Sequence, residues 1–175
     1  MKKIEQMNHG ELAALIQTKL RERSIDVVLS GGGAVTIYTS GKYVTYDLDM
    51  VIMGIPNRDD IKEVMAELGF QYIGRHFEHP ATKLFVEFPP GPLTIGEEPI
   101  GKIDELELST GILRVLSPTD SIKDRLSAYF HWNDRQSLEQ AILIAKDNEV
   151  DIEDIRRWSI REGNLAKFKN FTSKI

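Results

Sequence analysis

Leu29-Ser30-Gly31-Gly32-Gly33-Ala34 and Tyr46-Asp47-Leu48-Asp49-Met50-Val51 are the two stretches of sequence that decide the fold of this chain. Three consecutive glycines allow a sharp turn and a close approach of the backbone to a bound group, because no Cβ atom stands in the way. The second stretch alternates acidic and apolar residues, which places Asp47 and Asp49 on the same face of a strand. We therefore expect a phosphate group at the glycine turn and two neighbouring carboxylates close to it.

The two carboxylates are electrostatically unfavourable in this strand. Leu48, Met50 and residues 51–53 are apolar, and two like charges on such a strand repel unless a cation bridges them or one is protonated. Mg²⁺ prefers hard oxygen ligands, and proteins usually hold it with one or two carboxylates and the phosphates of a substrate. The pattern therefore predicts that Asp47 and Asp49 bind Mg²⁺, or Mn²⁺ in its place.

Length and composition limit the classes of protein that the chain can represent. It has 175 residues, a net charge of -5 and no cysteine. This length suits one compact unit and is short for two ordinary domains. The negative charge argues against a protein that coats nucleic acid, and without cysteine there are no disulfides, thiolate metal sites or cysteine nucleophile. No signal-peptide or membrane-spanning pattern is visible, so we expect a cytoplasmic protein with no membrane role.

Hydrophobic periodicity and turn chemistry predict a mixture of helices and strands. Ser117-Pro118-Thr119-Asp120 has the chemistry of a helix start, with serine as the cap and proline in the first turn. A loop through His79-Pro80 is predicted between two strands. The predicted helices cover 10–23, 34–38, 61–68, 118–131, 134–147, 151–162 and 163–170. The predicted strands cover 27–29, 46–53, 70–73, 83–88, 103–108 and 111–116.

A strand, a glycine turn, a short helix and an Asp-x-Asp strand, in this order, resemble the nucleotidyltransferase superfamily. The signature of that family is hydrophobic-Gly-Gly/Ser followed, after a spacer, by Asp-hydrophobic-Asp/Glu-hydrophobic. Here Gly32-Gly33 and Asp47-Leu48-Asp49-Met50 are separated by residues 34–46. The family adds a third carboxylate on a later strand, and Glu87, the lone acid of an apolar strand, matches it. The resemblance covers residues 25–90, with a looser match in the helices after residue 117.

The resemblance implies an α+β fold and a reaction. A mixed, twisted β-sheet would carry the acids between flanking helices, with residues 1–116 forming the catalytic sheet and helices and residues 117–175 a helical segment packed on it. The implied reaction moves a nucleoside monophosphate from a nucleoside triphosphate such as ATP to a hydroxyl group. Asp47, Asp49 and Glu87 would bind two metal ions that neutralise the attacking and leaving oxygens, and Glu87 would help to remove the hydroxyl proton.

Further residues are candidates for contacts with the triphosphate. Backbone N–H groups at the start of a helix favour phosphate, and hydroxyl or cationic side chains could add to them. The candidates that offer a backbone N–H group, a hydroxyl or a cationic side chain are Ser30, Gly31, Gly32, Gly33, Lys123, Arg125 and Arg135.

The acceptor and the partners are less constrained. The helical segments after residue 117 also resemble small bacterial and archaeal members, some of which are toxins of toxin and antitoxin pairs. That similarity implies RNA or a protein as acceptor and an antitoxin as partner, while a small molecule such as an aminoglycoside-type drug is another acceptor. Whether the chain forms a homodimer is open. The alternative from another class is a non-catalytic module that keeps the fold and binds a nucleotide or a partner protein.

Other glycine-rich and histidine-based sites fit the sequence less well. A dinucleotide site needs Gly-x-Gly-x-x-Gly, and position 36 is a threonine. No Gly-Lys-Ser/Thr and no Gly-x-Ser-x-Gly motif is present. His76 and His79 have metal-ligand spacing, yet no cysteine or third histidine accompanies them, so a loop position is the preferred interpretation. His9 has no visible partner, and His131-Trp132 is expected to pack between helices.

Overall fold

The computed structural model describes residues 1–175, which form a mixed sheet, a layer of helices and a helical C-terminal part. A short 3₁₀ helix, Ile4–Gln6, precedes seven α-helices. These are α1 (His9–Arg21), α2 (Gly31–Tyr38), α3 (Arg58–Glu67), α4 (Pro118–Trp132), α5 (Arg135–Asp147), α6 (Ile152–Arg161) and α7 (Leu165–Thr172). The strands are β1 (Asp26–Ser30), β2 (Asp47–Met53), β3 (Gln71–Ile73), β4 (His76–Glu78), β5 (Phe85–Glu87), β6 (Thr94–Ile95), β7 (Glu98–Pro99), β8 (Ile103–Leu108) and β9 (Gly111–Leu116).

Seven of the strands form one mixed sheet in the order β3-β4-β5-β2-β1-β9-β8. The strand that carries the two aspartates, β2, lies near the middle, antiparallel to β1 and parallel to β5. Parallel pairing also joins β1 to β9, whereas β8 and β9 form an antiparallel hairpin. The central position of β2 fixes its acidic side chains from both sides through backbone pairing.

Side-chain alternation along β2 separates the core from the acidic face. Leu48 and Met50 are 0% exposed, whereas Asp47 and Asp49 on the other face are half-buried. The apolar side chains belong to a single hydrophobic cluster that extends from Met7 to residues of α7. This alternation agrees with the predicted direction of the aspartates and leaves their carboxylates outside the core.

Two helix starts show how local chemistry positions the fold. Asn8 caps α1 in a capping box with Glu11, because the Asn8 side chain accepts from the Glu11 N–H and the Glu11 carboxylate accepts from the Asn8 N–H. Ser117 caps α4 by accepting the N–H of Asp120 at 3.1 Å, as the sequence predicted.

None of the helices combines the length and the apolar character that crossing a bilayer would require.

The structure differs from the predicted elements mainly where elements are short. Helix α2 begins at Gly31 and not at residue 34, so the glycines form its first turn. The predicted loop through His79 contains strand β4, which pairs with both β3 and β5. Strands β6 and β7 were not predicted at all. Each of these three strands has two or three residues, too few to show a period of two in the sequence.

Candidate active site

Strand register places three polar side chains in one row across the sheet. Asp49 of β2 pairs with Glu87 of the parallel strand β5 on one side and with Ser30 of β1 on the other. Neighbouring strands lie about 4.8 Å apart, so the backbone alone keeps the side chains of this row adjacent. Asp47 lies two residues before Asp49, on the same face of β2. The structure thus brings together the three acids that the sequence singled out.

The position of Asp49 is electrostatically demanding. Burial raises the pKa of the Asp49 carboxyl to about 6, and the negative charges of Asp47 and Glu87 add to this effect. The positive charge of Arg125 acts in the opposite direction and lowers the pKa of Asp49, while Asp124 raises it. A carboxylate crowded by two like charges in a half-buried position would be stabilised by a cation.

The glycine turn is shaped around Asp49. Gly31 has φ +60°, and a Cβ atom built there would lie 2.7 Å from Oδ2 of Asp49. A larger residue would therefore displace the carboxylate as well as strain the backbone. Ser30 makes no side-chain capping hydrogen bond to α2, so its hydroxyl is not used to start the helix.

The other two glycines serve close packing. A Cβ atom at Gly32 would lie 3.2 Å from the Cβ of Thr45, and one at Gly33 would lie 3.0 Å from Cδ1 of Leu29. Their small size lets the first turn of α2 lie directly against β1 and against the segment before β2. The N–H groups at the start of this helix consequently lie beside the carboxylate row, where the positive end of the helix dipole favours an anion.

Asp47 is oriented by the residue two positions before it. The hydroxyl of Thr45 donates to Oδ1 of Asp47, and the carbonyl oxygen of Thr45 lies 2.6 Å from Nε2 of His9. Because a carbonyl oxygen only accepts, Nε2 of His9 carries the donated proton. His9, for which the sequence suggested no partner, therefore fastens the segment that leads into β2 to the start of α1.

Helix α4 contributes a pair of opposite charges to the site. Nη2 of Arg125 lies 2.5 Å from Oδ2 of Asp124, and its Nη1 lies 3.4 Å from Oε1 of Gln140. Helix α4 packs against α2, whose glycine start lies beside Asp49, and the two charges act on the pKa of Asp49 in opposite directions. Asp124 was not singled out from the sequence; its position directly before a candidate arginine was the one available signal.

Lys123 and Arg135 occupy different surroundings. Lys123 is 3% exposed, and its Nζ lies 2.6 Å from Oδ2 of Asp154 and 3.5 Å from Oδ1 of Asp120. It thus forms a buried ionic link between α4 and α6, and the structure does not place it with the carboxylate row. Arg135 is exposed as the first residue of α5.

The carboxylates of this site have the chemistry that a divalent cation prefers, but their present spacing suits such a cation less well. No group of three or more histidine, aspartate or glutamate side chains is arranged as a ready ligand set for a metal ion. One oxygen of Asp47 is engaged by Thr45, and Asp49 lies against Gly31. The register nevertheless aligns two hard carboxylates, and the charge crowding at Asp49 is of the kind that a cation relieves. The donor chemistry of these carboxylates therefore suits such a metal, although their side chains do not form a ligand set in this structure.

The remaining histidines and one tryptophan also have definite positions. Nε2 of His76 lies 2.7 Å from Oε1 of Glu78, and the His79 ring packs against Phe70 with centroids 5.0 Å apart. The expectation that His131-Trp132 packs between helices was wrong for the tryptophan, because Trp132 is 83% exposed. It is the last residue of α4, and the chain turns away at Asn133 with φ 52°.

Comparison with known proteins gives matches among solved structures. No protein-family model matches the chain, and no curated protein does so either. The solution structure of the antibiotic-resistance factor ANT(2'')-Ia is 18% identical, with a TM-score of 0.57 over 91% of this chain and 90% of that one. The crystal structure of ANT(2")-Ia in complex with adenylyl-2"-tobramycin is 18% identical, with a TM-score of 0.55 over 89% and 93%.

A third solved structure is also similar to this chain. The crystal structure of an antigenic nucleotidyltransferase-like protein from Paracoccidioides brasiliensis is 16% identical, with a TM-score of 0.60 over 78% of this chain and 74% of that one. At such identities the similarity concerns the fold. The chain has the nucleotidyltransferase fold, with its mixed sheet flanked by helices, as the resemblance in its sequence predicted.

Proposed function

We propose that this protein is a metal-dependent nucleotidyltransferase that moves a nucleoside monophosphate from a nucleoside triphosphate to a hydroxyl group. The observation that carries the proposal is the pairing of Asp49 with Glu87, next to Asp47 and to the glycine start of α2. The fold similarity supports the same reaction class. Fold alone does not determine activity, so the acidic row is the decisive feature.

The side chains have separate tasks in this proposal. Asp47, Asp49 and Glu87 would hold a divalent cation, Mg²⁺ or Mn²⁺, which when bound neutralises charge on the phosphoryl oxygens. The acceptor oxygen forms a bond to the α-phosphorus, the bond from that phosphorus to the pyrophosphate oxygen breaks, and Glu87 accepts the hydroxyl proton. The N–H groups of Gly31 and Gly32 would bind the triphosphate, whose charge Arg125 would help to balance.

The acceptor is the least constrained part of the proposal. One similar protein was crystallised with adenylyl-2"-tobramycin, a nucleotide-modified aminoglycoside, which supports ATP as donor and a small-molecule hydroxyl as the first acceptor to test. An RNA end or a protein side chain is the acceptor if the chain acts as a toxin with an antitoxin partner. Expression would then arrest growth, and Asp47→Asn or Asp49→Asn would relieve the arrest.

A transfer assay tests the proposal directly. The protein is incubated with each α-labelled nucleoside triphosphate, Mg²⁺ or Mn²⁺, and a panel of aminoglycosides, RNA and proteins. We expect metal-dependent pyrophosphate release that is lost in Asp47→Asn, Asp49→Asn and Glu87→Gln. Glu107→Gln, an exposed carboxylate on β8, is the matched control and should retain activity. Nucleotide binding without transfer to any acceptor would instead indicate a non-catalytic nucleotide-binding module.

A further inference from the structure

Trp132 is an apolar side chain with nothing to cover it. It is 83% exposed at the end of α4, whereas the second tryptophan of the chain, Trp158, is 0% exposed and donates to the carbonyl oxygen of Ile95 at 3.2 Å. A large aromatic side chain left in water is an informative exception to ordinary burial. Its position at a helix end, with Asn133 turning the chain away, keeps the indole faces accessible.

The helix relates this tryptophan to the carboxylate row. Arg125, Ala128 and Trp132 follow one another at spacings of three and four residues, so they share one face of α4. The opposite face is buried through residues such as Leu126 and Phe130. Seven residues at helical rise span roughly 10 Å. Helix α4 packs against α2, the helix that begins at the glycine turn. Arg125, at the upstream end of this face, bonds to Asp124 and Gln140.

We propose that Trp132 stacks on the base of the nucleoside triphosphate whose phosphates lie at Arg125 and the glycine turn. This inference rests on the proposed function and adds the base-binding position to it. A nucleoside triphosphate has an anionic end and an aromatic end, and this face of α4 offers a cation and an indole in the matching order. The small side chain of Ala128 lies between them and leaves room for the ribose. Because every base has a π face, such a platform tolerates different bases.

A second copy of the chain is a weaker occupant of this surface. No other strongly exposed large apolar residue lies on α4, and a stable interface buries about 800 Å² on each partner. One indole supplies only a part of that area. A single nucleobase, by contrast, is about the size of the indole face that it would cover.

Intrinsic fluorescence tests the proposal because the two tryptophans differ so strongly in exposure. The intact protein is titrated with non-cleavable α,β-methylene analogues of ATP, GTP, CTP and UTP in the presence of Mg²⁺, and with tripolyphosphate as the probe that lacks a base. We expect each nucleotide to quench the emission of Trp132, and tripolyphosphate to leave it unchanged. Trp132→Phe should bind the nucleotides nearly as well as the parent, whereas Trp132→Ala should bind them about 5- to 100-fold more weakly.

Calorimetric affinities of the variants decide between the outcomes. Ile160→Ala, a change of an exposed apolar residue on α6, is the control and should bind like the parent. Equal nucleotide affinity in Trp132→Ala and the parent would overturn the inference while leaving the transfer reaction intact. Two other results would also overturn it. In the first, Trp132→Ala changes only the apparent affinity for the acceptor. In the second, the parent self-associates and Trp132→Ala does not. If no nucleotide binds and no transfer occurs, the proposed function fails together with this inference.

Discussion

Asp49 and Glu87 lie opposite each other on parallel strands, held in register by backbone pairing on β2 and β5. The two residues are far apart in the chain, yet backbone pairing within the sheet keeps them adjacent. Their proximity does not depend on flexible side-chain contacts. The same pairing creates repulsion, because Asp47 contributes a further negative charge on the same face. The site is therefore built at a cost in stability that a bound cation can offset.

The first prediction concerns stability without metal. The pKa of Asp49 is raised from 3.8 to about 6 in the folded protein, so the folded state binds more protons than the unfolded state between these values. Asp49 therefore contributes favourably to the free energy of unfolding at low pH, and this contribution is lost as the pH rises toward and through 6. We expect Asp49→Asn to be more stable than the parent by about 1–2 kcal/mol at pH 7–8, after allowance for partial exposure.

Urea unfolding in EDTA from pH 4 to 8 measures this effect. The difference between Asp49→Asn and the parent should shrink toward pH 4, where the carboxyl is protonated in the folded state and about half protonated in the unfolded state. Glu107→Gln, which changes an exposed carboxylate on β8, should show no comparable gain at high pH. A constant difference across the whole range would contradict the assigned electrostatic origin.

The second prediction concerns the cation. Mn²⁺ should raise the unfolding temperature of the parent, because a ligand that binds only the folded state stabilises it by mass action, by about 2.7 kcal/mol at a concentration 100 times its Kd. Asp49→Asn and Glu87→Gln should each lose most of this increase, and Glu107→Gln should keep it. Differential scanning calorimetry with and without Mn²⁺ provides the measurement. An undiminished increase in both site variants would place the bound cation elsewhere.

The third prediction uses two glycines with similar backbone strain and different neighbours. Gly31 and Gly41 have φ +60° and +80°, but a Cβ atom at Gly31 would meet Oδ2 of Asp49 at 2.7 Å, whereas one at Gly41 would meet nothing within 4 Å. Each alanine variant should lose about 1–2 kcal/mol from the left-handed backbone. Only Gly31→Ala should also displace Asp49 and weaken Mn²⁺ binding and transfer. Equal Mn²⁺ affinity in both variants would show that the contact has no functional consequence.

The sequence was sufficient for the parts of the fold that local chemistry controls. The hairpin of β8 and β9 and the capped start of α4 lie where they were predicted, because turn and capping residues act over a few positions. The start of α2 at Gly31 was missed, since glycine is a poor helix former by about 1 kcal/mol. Close packing of the glycines against β1 and the segment before β2 overrides that propensity.

Tertiary contacts account for what the sequence left undecided at the site. Lys123 and Arg125 are two residues apart and therefore point in different directions around α4. Lys123 meets Asp154 of α6, whereas Arg125 meets Gln140 of α5 and its positive charge lowers the pKa of Asp49. No local pattern states which side of a helix meets the site. The exposure of Trp132 is of the same kind, because it depends on where α4 ends relative to the rest of the molecule.

The last prediction concerns His9, which acts on Asp47 through Thr45. The donation from Nε2 of His9 to the Thr45 carbonyl spans 2.6 Å and joins the start of α1 to the segment before β2. Its loss in His9→Ala should lower stability by about 1 kcal/mol. It should also weaken Mn²⁺ binding, because the Thr45 hydroxyl that donates to Asp47 is no longer held in place.

Two further variants separate this positioning role from simple destabilisation. His9→Gln retains an N–H donor and should recover much of the Mn²⁺ affinity. Thr45→Val keeps the backbone carbonyl that His9 uses but removes the hydroxyl, so it should weaken Mn²⁺ binding while the hydrogen bond of His9 remains. Calorimetric Mn²⁺ titrations, compared with urea unfolding of the same variants, test whether His9 acts on Asp47 through Thr45. If Mn²⁺ affinity falls only in proportion to the free energy of unfolding across the three variants, His9 only stabilises the fold. If Mn²⁺ affinity depends instead on the Thr45 hydroxyl and on its placement by His9, then His9 orients Asp47.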